Sequence, residues 1–168
     1  MARSSVRKLA LTAHVTFSVG WMGAVACFLA LAIAGLTGRE DQAVRAAYVA
    51  MNVATWAVIL PLCLASLLTG LIESLLTPWG LFRHYWVIAK LVLTALATIV
   101  LLAHTQPIGL LAHAAAHGTL AAEVQSVRVQ LLVDAAAALF VLLLATVLAI
   151  YKPRGLTRYG WRKQHQRA

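Results

Sequence analysis

The chain has 168 residues, 62% of them hydrophobic and only 11% charged, with five acidic residues against fourteen Lys and Arg. Soluble domains are about 45–50% apolar and about 25% charged, so these proportions exclude an ordinary globular enzyme, a disordered chain and a disulfide-rich secreted domain. A mean hydropathy of +0.84 leaves the membrane class.

Four apolar segments, 9–34, 46–76, 85–104 and 129–151, each reach or exceed the ~20 residues that cross a bilayer as a helix. They predict an all-α polytopic membrane protein, a single domain over 1–168 with four transmembrane helices in an up-down bundle. The first helix carries His14, Ser18, Trp21, Val25 and Phe28 on one face. It also carries two small-residue pairs, Gly20/Ala24 and Gly23/Cys27, that permit close helix contact. Cys27 and Cys63, both in apolar runs, are too few for a disulfide framework or a cysteine metal centre. No CxxCH occurs, which excludes covalent heme. Ala24-Val25-Ala26-Cys27 is faintly like a lipoprotein cleavage site, but the apolar run continues past it.

Gly38-Arg39-Glu40-Asp41 connects to the second segment, which is too long for a straight crossing and is expected either to kink at Pro61 or to extend its ends into the headgroups. Asn52, Thr55, Ser66, Thr69 and Glu73 recur near a 3.6 spacing and predict an inward polar stripe, with Ile59 and Leu62 between them. Thr77-Pro78-Trp79-Gly80 reads as a helix stop and a tight turn. The third helix, 85–104, has Lys90 one or two turns inside its start and His104 at its end. The long connection 105–128 contains Gln106-Pro107-Ile108-Gly109, and its Ala-rich middle is read as a short interfacial helix. The fourth helix, with Asp134 early in it, leads to a basic tail, 152–168. Trp79, Phe82, Tyr85 and Trp86 suit an aromatic belt at one interface, and Tyr151, Tyr159 and Trp161 suit one beside the tail.

The fourteen cationic residues divide eleven to three. The N-terminal segment (Arg3, Arg7, Lys8), the second connection (Arg83, with Lys90) and the tail form one side; Arg39, Arg45 and Arg128 form the other. The positive-inside rule then predicts that the N- and C-termini are both cytoplasmic. A basic tail next to a span is attracted to anionic lipids by about 1 kcal/mol per cation, so the net charge of +9 does not call for nucleic acid.

Ionisable groups within spans are costly and are functional candidates. His14, Glu73 and Lys90 are expected at one level of the inner leaflet with His84 just beneath, a candidate cofactor-binding set. His104, His113, His117 and Asp134 are expected at the outer level, a candidate metal set suited to copper or zinc. His113 and His117 are four residues apart, on one face if helical. Bland readings stand beside these: His14 bonding a neighbouring helix, Lys90 snorkelling, Glu73 in the headgroups, Asp134 pairing locally, and the two outer histidines solvated.

His14-Val-Thr-Phe-Ser-Val-Gly-Trp21-Met-Gly23, the turn from Thr77 to Trp86, Val-Ile-Ala-Lys90-Leu and the tail Tyr151-Lys-Pro-Arg-Gly-Leu-Thr-Arg-Tyr-Gly160 resemble a bacterial family of small four-helix integral membrane proteins, a domain of unknown function. The chain is more loosely similar to the copper-resistance D membrane domain and to the heme-dependent membrane protoporphyrinogen oxidases. Both tend to have an early His followed by Trp and Gly, and a Trp-x-x-x-Lys pattern that Trp86 to Lys90 matches. The likeness to the heme group implies heme-linked roles for His14 and Lys90. Where that group has a Tyr-Leu-Pro-Arg-like stretch, this chain has Ala24-Val-Ala-Cys-Phe-Leu-Ala, which speaks against porphyrinogen oxidation itself. Three functions follow as expectations: a b-type heme or redox membrane protein, a copper or other metal-ion handling protein, and an accessory subunit that packs on a copy of itself or on a membrane-complex partner.

Overall fold

The computed structural model describes residues 2–77, 80–118 and 125–165. Helix α1 spans Ala2–Thr37, α2 Asp41–Ala54, α3 Leu60–Leu76, α4 Tyr85–Ala116, α5 Gln125–Tyr151 and α6 Arg158–His165. A π-helical turn, Thr55–Ile59, joins α2 to α3, so the two form one crossing, and four helical runs are long and apolar enough to span a membrane. The shortest, Gln125–Tyr151, is about 40 Å long at 1.5 Å per residue. That exceeds the ~30 Å hydrocarbon core, so the ends reach headgroup depth.

The runs are longer than hydropathy alone predicts. Helix α1 starts at Ala2 and includes the basic residues Arg7 and Lys8. The Ala-rich stretch is not a separate interfacial helix. It continues α4 through Pro107 to Ala116, because Ile108, Leu111, Ala112 and Ala115 are buried in the bundle. Proline inside a helix removes one hydrogen bond and crowds the carbonyl four residues back; apolar burial outweighs that cost here.

Pro61 is accommodated differently. It is the second residue of α3, inside the continuous run and just past the π turn. The π turn directly before it inserts an extra residue, which moves the preceding carbonyls away from the ring. Thr55, fully buried within that turn, donates to the Met51 carbonyl at 2.8 Å.

The helices pack in cyclic order: α1 against both halves of the second crossing, that crossing against α4, α4 against α5, and α5 back on α1. The core runs along the axis through Trp21, Val25, Phe28, Met51, Cys63, Ile108, Leu131 and Leu142. Leu9, Leu75, Leu110, Phe140 and Ile150 are all more than 60% exposed. Such a coat of apolar side chains is unusual for a soluble protein and suits lipid tails. Gly20 faces Leu62 across the α1–α3 contact. Gly23 and Cys27, by contrast, point outward, with nothing within 4 Å of where a Gly23 Cβ would stand. That small pair serves no contact inside the bundle.

At the basic end the chain leaves α5 through Lys152, whose φ of 44° is left-handed. It then lies antiparallel against the segment before α4, with Leu156 bridging His84. Thr157 fastens this clasp. Its amide donates to the Arg83 carbonyl at 2.9 Å, its hydroxyl donates to the Phe82 carbonyl at 2.6 Å, and the hydroxyl accepts from the Gly160 amide at 3.0 Å, capping α6. Phe82, Tyr85, Tyr151, Tyr159 and Trp161 are exposed at this end, as an aromatic belt requires. Trp86 is half-buried and turns inward instead. Trp79 and Arg167 lie outside the described residues.

A candidate intramembrane site at the basic end

Helix α2 lies along α4, whereas α3, beyond the π turn and Pro61, makes much sparser contact with it. The space this leaves is a cavity of about 450 Å³ among α1, α3, α4 and α5. Its volume is within the ~300–1,000 Å³ of small-molecule sites. Its walls are largely apolar, including Val19, Leu67, Leu71 and Leu142. The polar groups among them include His14, Ser18, Ser66, Glu73, Lys90 and Lys152.

His14 is the hub. It is buried, 7% exposed, one turn before Ser18 on the inner face of α1. Its Nδ1 stands 3.1 Å from the Ser66 carbonyl and 3.2 Å from the Thr69 hydroxyl. A carbonyl only accepts, so Nδ1 carries the proton and Nε2 the lone pair. Nε2 accepts from the Lys90 ammonium at 3.1 Å. The Ser66 carbonyl is also approached by Thr69, whose hydroxyl donates to Ala65 at 2.7 Å. Ser18 and Ser66 hydroxyls meet at 2.7 Å, so α1 and α3 are joined by two polar contacts one turn apart.

Gly70 makes room for this arrangement. A Cβ there would lie 2.8 Å from His14 Cε1, which real Cβ atoms do not tolerate. Glu73, one turn on, lines the same cavity as Lys90. Among the described residues Lys90 and Glu73 form no direct ion pair, and the Lys90 ammonium keeps N–H capacity beyond its bond to His14.

The four residues expected as a cofactor set are thus not all together. His14, Glu73 and Lys90 share the cavity. His84 is the residue before α4, bridged to Leu156 with its ring 6.4 Å from that of Trp86, and it is not part of the cavity wall. The outer set separates into two pairs. His104 Nε2 meets the Asp134 carboxylate at 2.9 Å and lies 2.9 Å from the Gln130 side-chain amide, while its Nδ1 faces the Val100 carbonyl at 2.8 Å. His113 and His117 lie with ring centroids 4.3 Å apart and their planes tilted by 50°. No three His, Cys, Asp or Glu side chains converge among the described residues. The bulk of the polar stripe does face inward, with Thr55 and Ser66 buried, but Cys63 joins it by bonding Thr98 at 3.1 Å. The roles of Gly70 and Lys152 have no signal in the sequence: a lone glycine in an apolar helix and a lysine at a helix end are both commonplace.

No family model matches the chain, no curated protein matches it, and no solved structure matches it.

Proposed function

We propose that the chain is a multi-pass protein of a bacterial cytoplasmic membrane, with both termini cytoplasmic, that holds a b-type heme in the cavity at its basic end. The observation that carries this reading is the orientation of His14. A histidine that ligates a metal donates its other ring N–H to a carbonyl or carboxylate, which fixes the tautomer. His14 does so to Ser66, and its ring lines an apolar-walled cavity, where Nε2 accepts from Lys90.

His14 would hold the iron through Nε2, in place of its present bond to Lys90. Lys90 and Lys152 would supply cations for carboxylate groups on the ligand's edge. Bound heme supplies one-electron chemistry, with its potential tuned by axial ligand and burial. The chain's own contribution is to orient the imidazole, exclude water and place two cations and Glu73 at the rim. The excess of Lys and Arg at this end supports the orientation.

A second reading has its own observation. The His14–Lys90 bond is complete with no ligand between the two residues, as in a polar clamp that fastens helices in an accessory subunit. Visible spectra of the purified protein, oxidised and dithionite-reduced, separate the two. A stoichiometric Soret band, lost in His14→Ala, is the outcome expected of a heme protein. A colourless protein from heme-replete cells would overturn that reading and leave the clamp.

A further inference from the structure

The histidine pair at the other end of the bundle carries a separate inference, independent of the heme reading. His113 is in the last turn of α4, and His117 caps it, with its amide bonded to the His113 carbonyl at 3.1 Å. That bond keeps the helical i, i+4 relation, the spacing that places two imidazoles on one face in HExxH metal sites. Both residues are exposed. Neither is needed to fill the core, and neither belongs to the His104–Asp134 pair.

The separation of the rings is informative. With metal–nitrogen bonds of about 2.0 Å and about 1.1 Å from nitrogen to ring centre, two imidazoles at a right angle on one metal have centroids about 4.4–4.5 Å apart. A tetrahedral angle separates them by about 5.1 Å. The observed 4.3 Å, with the ring planes tilted by 50°, is short enough for both imidazoles to reach one metal, and copper(II) is the divalent first-row ion that such a nitrogen pair binds most tightly.

We infer that His113 and His117 form a bidentate surface chelate for copper(II) at the end of the bundle opposite the basic tail. Solvent or small anions complete the coordination. The Arg45 guanidinium reaches Gly118, the next residue, and its charge makes the affinity lower than that of an isolated pair.

The test uses the full chain without a polyhistidine tag, in detergent micelles, titrated with copper(II) sulfate and followed by electron paramagnetic resonance. One copper(II) per chain is expected, with an axial spectrum coupled to two nitrogens. Binding should weaken by roughly tenfold or more in His113→Ala and in His117→Ala, and should be unchanged in His104→Ala. Because both rings are exposed, the variants should keep the parent's thermal midpoint. Absence of saturable copper binding would overturn the assignment, as would His113→Ala and His117→Ala variants that bind like the parent. The outcome does not depend on whether the protein carries heme, so the two proposals fail separately.

Discussion

The geometry around His14 depends on three neighbours of different kinds: a backbone carbonyl, a hydroxyl and the absence of a side chain. They separate cleanly by mutation. Ser66→Ala removes the hydroxyl bonded to Ser18 but leaves the carbonyl that His14 uses. Side-chain hydrogen bonds within membranes average about 0.6 kcal/mol, so Ser66→Ala should lower stability by about that amount in a reversible unfolding assay and keep any bound cofactor. Gly70→Ala should lower both stability and cofactor content. Its methyl group meets the imidazole, and overpacking costs about 1–3 kcal/mol; the ring must turn, and cofactor content should fall with it. A Gly70→Ala protein that matches the parent in both melting point and spectrum would show that the ring has slack. At this scale the sequence is a good guide to depth and a poor guide to contact. Counting turns from the charged end brings His14, Glu73 and Lys90 to one level. It does not reveal that His14 touches Lys90, that Glu73 stands off, or that Gly70 clears the ring, because those depend on helix rotation and on space between helices. His84 illustrates the limit: its level suggests a site residue, and its backbone pairing with Leu156 makes it part of the clasp.

At the scale of elements, the second crossing depends on its π turn. Each residue in an α-helix advances about 100°, so the extra residue resets the phase between Asn52 and Thr55 on one side and Ser66, Thr69 and Glu73 on the other. Deleting Ala57 should rotate the whole polar face of α3 away from α1 and break both the His14 and the Ser18 contacts. Loss of monodisperse protein on size exclusion is the expected result. Deleting one residue in the exposed connection at Arg39 should be tolerated, and a protein that survives the Ala57 deletion unchanged would contradict this account. The sequence suggested a kink at Pro61 but not the device that absorbs it. It also suggested that α4 stops at His104, since Gln106-Pro107 looks like a boundary; what carries the helix onward is tertiary burial of Ile108 and Leu111, which local pattern does not contain. The clasp was equally invisible. Thr157 is one threonine in a basic tail, and its three hydrogen bonds exist only because the segment before α4 lies beside it. Gly160→Ala would drive a methyl group onto the Arg83 carbonyl oxygen. Trypsin should then cleave at Arg154 and Arg158 markedly faster than in the parent, with the four long helices left intact.

For the whole molecule, four crossings place α1's start, the α3–α4 connection and the tail at one end, and Thr37–Asp41 and His117 at the other. The proposed membrane orientation rests on charge asymmetry and is testable without any ligand. Single cysteines at Val6 and Lys163 should react with an impermeant maleimide only from the cytoplasmic side, and one at Ala116 only from the opposite side. Native Cys27 and Cys63 lie deep within spans and should stay silent. Labelling of Val6→Cys and Lys163→Cys from opposite sides would refute the even number of crossings. Fold class was the most legible feature of the sequence, because lipid solvation imposes the same requirement on every residue of a span. The site was legible only as a set of candidates, since polar residues in spans mark both function and helix contact.

The clasp also has a consequence for biosynthesis. Chains are made from N- to C-terminus, so Thr157 leaves the ribosome after every helix whose side chains line the cavity, and after the Phe82–Arg83 segment it fastens. Helices α1 to α4 can meet, and His14 can find Ser66, while the floor of the bundle at Leu81 and Trp86 is still unpinned. For the heme proposed above, that interval would be an opportunity to enter the cavity from the basic end of the bundle, and the last bonds to form would then act as a retention step, converting a loading order into a slow rate of escape.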